Sequence, residues 1–98
     1  MIDLGKEKAY EIKLINGDIL RCKFPTDELL DKLLAIKTDS VQKSFVAKRL
    51  YRLALDIFNR NYNGMIFTME DIKQQMDIAT CGLVLRDYVC HVTDSLKN

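Results

Sequence analysis

The chain has no tryptophan, one histidine, one proline and four glycines that never cluster. Each scarcity removes a class of chemistry. Isolated Gly5, Gly17, Gly64 and Gly82 cannot form a phosphate-cradling loop. No nucleophile-elbow pattern surrounds Ser40, Ser44 or Ser95, so the chain is not expected to be an enzyme. Three widely spaced cysteines, Cys22, Cys81 and Cys90, form no disulfide framework and read as reduced thiols, buried as small hydrophobes. They also form no metal site. A helix would separate Cys81 from Cys90 by about 13 Å, too far for one zinc ion, and a fourth ligand beside His91 is missing. No metal or cofactor is expected. The carboxylate pairs Asp27–Glu28 and Glu70–Asp71 sit at helix starts, where capping and the helix dipole explain them.

Charge of one sign is also lacking. The formal net charge is +1, so no global field draws the chain to nucleic acid or membrane. No apolar run is long enough to span a bilayer, and the charged start, Met1 to Lys8, has no signal-peptide core. A cytoplasmic protein is expected. With 98 residues, 48% hydrophobic and 30% charged, the profile is that of a single globular domain, residues 1–98.

What is present begins with a hairpin. Tyr10, Ile12 and Leu14 alternate with Glu11 and Lys13, and Leu20, Cys22 and Phe24 alternate with Arg21 and Lys23, the period-two signature of strands. A two-residue Asn16-Gly17 loop would set charged residues opposite the apolar face. A three-residue loop, Ile15-Asn16-Gly17 with Gly17 left-handed, pairs Ile12 with Leu20 and Tyr10 with Cys22 and keeps one face apolar. That register is predicted. A lone hairpin is marginal in water, so its apolar face must pack on the rest of the chain. A further strand segment is expected around Ile2 to Leu4.

Pro25 ends the hairpin. Thr26 caps a first helix, about 27–37, with Leu29, Leu30, Leu33 and Leu34 on one face. Thr38-Asp39-Ser40 offers caps for a second helix, about 41–61, whose stripe is Val41, Phe45, Val46, Leu50, Leu53, Ala54, Ile57 and Phe58. Asn61-Tyr62-Asn63-Gly64 is a stop. Met65-Ile66-Phe67 follows as an apolar connector. Thr68 then caps a third region, about 69–96, either one long helix or two with a bend near Gly82, where glycine weakens the helix by about 1 kcal/mol. The expected fold is α+β, mostly α: a hairpin of about 9–24 packed on a three- to four-helix body.

Two features point to partners. Lys48, Arg49 and Arg52 lie on a second helix with local positive excess, and Lys48, Arg52, Asp56 and Arg60 form an i, i+4 ladder in which Asp56 can pair with either arginine. The face reads as solvated, as a surface for an acidic protein, or as the site of a small nucleic-acid-binding regulatory domain; no recognition-helix motif or stacking platform supports the last. The C-terminal region carries two stripes, Ile72, Met76, Ala79 and Leu83, and Ile78, Leu85, Val89, Val92 and Leu96. A helix apolar on two faces is either central to the core or covered by another chain, whether a partner helix or a second copy.

The order of parts resembles a family. The charged lead-in, the hairpin Tyr10-Glu-Ile-Lys-Leu to Arg21-Cys-Lys-Phe24, the helix start Pro25-Thr26-Asp27-Glu28-Leu29 and the later start Phe67-Thr68-Met-Glu-Asp-Ile72 are similar to those of tail assembly chaperones of long-tailed bacteriophages and prophages. The likeness spans most of the chain and rests on layout. It implies a non-enzymatic assembly factor of the bacterial host cytoplasm that coats the helical tape-measure protein and recruits tail-tube subunits. An apolar groove masking helical client surface would suit that role. The surface implied is the second stripe, Leu85, Val89, Val92 and Leu96, or the connector Met65, Ile66 and Phe67.

Overall fold

A computed structural model describes residues 9–35 and 43–96, with side chains described for 9–35 and 47–95. The element order is β1 (Tyr10–Lys13), β2 (Ile19–Cys22), α1 (Asp27–Leu34), α2 (Lys43–Asn59), α3 (Met69–Gln75) and α4 (Ile78–Leu96). This is an N-terminal two-stranded hairpin packed against four helices. The expected segment at Ile2 to Leu4, the caps at Thr38 to Ser40, the stripe positions Val41, Phe45 and Val46, and the side chain of Leu96 lie outside what is described.

The hairpin has the predicted register. Tyr10 pairs with Cys22, Glu11 with Arg21, Ile12 with Leu20 and Lys13 with Ile19. Gly17 takes φ +95°. The Gly17 N–H donates to Leu14 O at 2.9 Å and the Leu14 N–H to Asp18 O at 2.8 Å. These are the bonds of a three-residue loop with a glycine bulge. Asn16 locks the turn by accepting from the Asp18 N–H at 3.0 Å. Tyr10, Leu14, Leu20 and Cys22 are buried against the helices, which supplies the packing that a hairpin needs.

Thr26 caps α1 as expected, its Oγ1 accepting from the Leu29 N–H at 3.2 Å. The helix stops at Leu34 rather than near residue 37, with Ala35 as its C-cap. Leu29 and Leu33 are buried, Leu30 is half-buried and Leu34 is exposed, so the four leucines form a narrower face than the spacing suggested. In α2 the buried set is Leu53, Ala54, Ile57 and Phe58.

The C-terminal region corrects the expectation of a bend near Gly82. The break lies at Met76 and Asp77. Met76 is extended, φ −155° and ψ 148°, and the Thr80 N–H donates to Asp77 Oδ1 at 2.7 Å. Asp77 acts as an N-cap, and Gly82 sits inside a regular helix. An aspartate that restarts the helix outweighs a glycine that only weakens it. At the start of α3, Thr68 and Asp71 form a reciprocal capping box, at 2.9 and 3.2 Å.

The break also rewrites the stripes. Ile72 and Met76 are buried with α3, while Ala79 is exposed and Leu83 is 64% exposed on α4. The inward face of α4 is Cys81, Val84, Leu85, Tyr88 and Val92, a single helical stripe. Tyr88 is at the centre of the core, fully buried, its hydroxyl donating to Lys23 O at 2.7 Å. It meets Tyr10 edge-on with ring centroids 5.3 Å apart.

Candidate partner-binding surface

Between α2 and α3 the chain runs through three asparagines at alternate positions, and each holds a stretch of backbone. Asn59 accepts from the Phe67 N–H at 2.7 Å and donates to Phe67 O at 3.1 Å. Asn61, a buried polar side chain, donates to Phe58 O and Met65 O at 2.7 and 2.9 Å and accepts from the N–H groups of Asn63 and Met65, each at 3.0 Å. Asn63 accepts from the Arg21 N–H at 2.9 Å and donates to Ile19 O at 3.2 Å. An amide side chain offers one acceptor and a two-proton donor, so it can match a peptide group in both directions. Gly64 supplies the reversal at φ +73°.

The consequence is a fixed connector. Met65 and Phe67 have their N–H and C=O groups held by Asn61 and Asn59, with Met65 half-buried and Phe67 buried against Phe58 at a centroid distance of 5.5 Å. Ile66, between them, points the other way and is 88% exposed.

The other sequence-predicted residues divide differently. Leu85 and Val92 are buried within the chain; Val89 is half-buried and packs on the core. Leu85, Val89 and Val92 therefore do not form an open docking groove. Tertiary packing, which helical spacing cannot reveal, turns it inward onto the chain's own core. Of the connector, Phe67 belongs to the core and Ile66 alone is fully presented.

Lys48, Arg49 and Arg52 are exposed on α2. Neither pair that the ladder spacing allows, Arg52–Asp56 or Asp56–Arg60, forms. Ion pairs form elsewhere, Arg21–Glu11 and Lys32–Glu28 among them, both at 3.7 Å and both exposed. Arg60 instead donates to Phe24 O through Nε and Nη2, at 3.3 and 2.8 Å, tying the C-terminal end of α2 to the residue before Pro25.

Two clefts remain. One of about 370 Å³ between α1 and α2 is lined by Thr26, Glu28, Lys32, Asp56, Asn59 and Arg60, among others. Apart from Asp56, each of these polar groups already serves a cap, an ion pair or a backbone clamp. The other, about 440 Å³, lies beside Tyr10 along α4 and includes Leu83, Val84, Arg86, Asp87 and Cys90. There the Tyr10 hydroxyl donates to Asp87 Oδ2 at 2.9 Å, and burial, with that carboxylate, pushes the Tyr10 pKa well above its ordinary value. Burial also raises the Cys22 and Cys81 thiols, to about 12 and about 11. Cys90 is exposed, so the expectation of buried thiols holds for two of the three. His91 sits half-buried, edge-on to Tyr10 and Phe24 at 5.6 and 5.8 Å. Among the described residues no three His, Cys, Asp or Glu side chains gather as a metal site, and no described helix is long and apolar enough to cross a membrane.

No protein-family model matches the chain, nor does any curated protein or solved structure.

Proposed function

We propose that the chain is a non-enzymatic assembly factor that docks a helical partner protein through Ile66, the client being a phage or prophage tape-measure protein as the family resemblance implies. The observation that carries this reading is the rigid display of Ile66. A large apolar side chain left 88% exposed on a backbone clamped at both neighbours loses little conformational freedom when a partner covers it. Isolated exposed hydrophobics are common; an exposed isoleucine braced on both sides by asparagine side chains is a different arrangement. Burying it in a partner's apolar helical surface contributes about 1.5–3 kcal/mol, which is roughly tenfold to a hundredfold in affinity.

Capture of tape-measure segments by the intact chain tests the proposal. Ile66→Asp should lower capture by about tenfold or more without shifting the melting curve. Capture that survives Ile66→Asp undiminished would refute this surface. Leu85 and Val92 are unsuitable for the same test, because charging them unfolds the core.

A second reading, a small nucleic-acid-binding domain, rests on Lys48, Arg49 and Arg52, which are exposed and make no ion pair among the described residues. It requires binding that falls steeply with salt and is lost in Lys48→Glu/Arg52→Glu. Docking of Ile66 requires neither.

A further inference from the structure

We infer that the outer edge of β1 is a self-pairing surface, on which a second copy of this chain adds its own β1 antiparallel about a two-fold axis at Ile12. The backbone groups already in use leave this edge open. Leu14 is hydrogen-bonded across the hairpin at Asp18, and in an antiparallel ladder bonded pairs recur at every second residue. Ile12–Leu20 and Tyr10–Cys22 are therefore the bonded pairs, and Glu11 and Lys13 turn their N–H and C=O groups away from β2. The opposite edge of the hairpin agrees with this parity. Arg21, opposite Glu11, sends its N–H to Asn63 and accepts from the Tyr62 N–H at 2.8 Å, and the Lys23 N–H donates to Arg60 O at 2.6 Å. Segment 60–63 thus occupies the β2 edge. The β1 edge has no such cover: among the described residues no hydrogen bond reaches the outward groups of Glu11 and Lys13. Gln75 Oε1 caps only the position beyond, accepting from the Ile15 N–H at 3.1 Å.

Charge selects the occupant. Antiparallel pairing about Ile12 sets Glu11 opposite Lys13 of the second copy, and Lys13 opposite Glu11 of the second copy. Glu11 and Lys13 are also the residues with free outward groups, so both are hydrogen-bonded pairs and four new backbone hydrogen bonds form. Opposite charges directly across a ladder stabilise it and like charges destabilise it. A lysine on a bare edge ordinarily discourages pairing; with glutamate two residues before it, the edge repels most strands and matches itself. Tyr10, on the same strand, also lines a cleft with Leu83, Val84, Arg86 and Asp87 of α4. This surface is distinct from Ile66 and does not depend on the client proposed above.

Sedimentation equilibrium of the full chain tests the inference. The wild type should form a dimer. Glu11→Lys alone, or Lys13→Glu alone, places two like-charge pairs at the junction and should weaken the dimer by about tenfold. The double exchange, Glu11→Lys with Lys13→Glu, restores two opposite-charge pairs and should restore the dimer. All three variants change only exposed side chains, and circular dichroism verifies their fold. A wild type that stays monomeric at the highest soluble concentration, or a dimer that ignores the single exchanges, or one that the double exchange fails to restore, would overturn the inference.

Discussion

Among the described residues, replacing Asn61 with alanine should be the most damaging change of a polar residue. The amide makes four hydrogen bonds, to the backbone of Phe58, Asn63 and, twice, Met65. Asn63 is exposed, so water can replace the bond to its N–H. The other three are lost in a site where Asn61 is only 8% exposed. At about 1 kcal/mol each, Asn61→Ala should cost about 3 kcal/mol. That is a large part of the ~5–15 kcal/mol available to a domain, and it lowers Tm by roughly 12–24 °C. Asn61→Asp should cost at least as much, because it keeps the acceptor and turns a second oxygen toward the carbonyls of Phe58 and Met65. Urea denaturation followed by far-ultraviolet circular dichroism measures the loss through the midpoint at constant slope. A loss under about 1 kcal/mol would mean that solvent substitutes for the amide, and the clamp account of the connector would fail with it.

Gly82→Ala should stabilise α4 by about 0.5–1 kcal/mol, since its backbone is helical and an added Cβ meets nothing within 4 Å; Gly17→Ala should destabilise, because φ there is +95°. Thermal melts of the pair should move in opposite directions. Stability should also fall in alkali. Cys22 and Cys81 rise from an ordinary 9.0 to about 12 and about 11, so the folded state favours the neutral thiol. Their contribution is complete below pH 9.0 and declines as pH climbs through the folded values, and a flat urea midpoint between pH 9 and pH 11 would contradict this. Val92→Asp should abolish cooperative unfolding rather than selectively weaken a partner, because Val92 is 2% exposed and an unpaired carboxylate there has no compensating group; a native-like melt would show that the stripe is not core.

The hairpin was legible because its determinants are local. Alternation sets the faces, and a glycine able to adopt positive φ sets the loop, so Ile12 falls opposite Leu20 without reference to any helix. The caps at Thr26 and Thr68 were legible for the same reason. The break between α3 and α4 was misplaced because glycine's cost in a helix is small, whereas Asp77 supplies a new N-cap immediately after Met76 turns extended. Arg60 lies one turn from Asp56, within pairing reach by helical spacing, and reaches Phe24 O instead. Helical spacing fixes which side chains are neighbours and leaves open which neighbour wins.

The candidate surface shows the same division more sharply. Apolar spacing marked Met65, Ile66, Phe67, Leu85, Val89 and Val92 as hydrophobic positions, and composition alone makes no distinction among them. Packing separates them: Leu85, Val92 and Phe67 fill the core, while Ile66 is held out by Asn61, which reads in the sequence as a helix stop, and by Asn59, which reads as part of the helix. The sequence by itself determined the strands, their register and the helix starts at Thr26 and Thr68, since these arise from interactions a few residues apart. Tertiary structure decided which apolar residues remain outside and which backbone edge stays open, since both depend on what segments distant in sequence happen to cover.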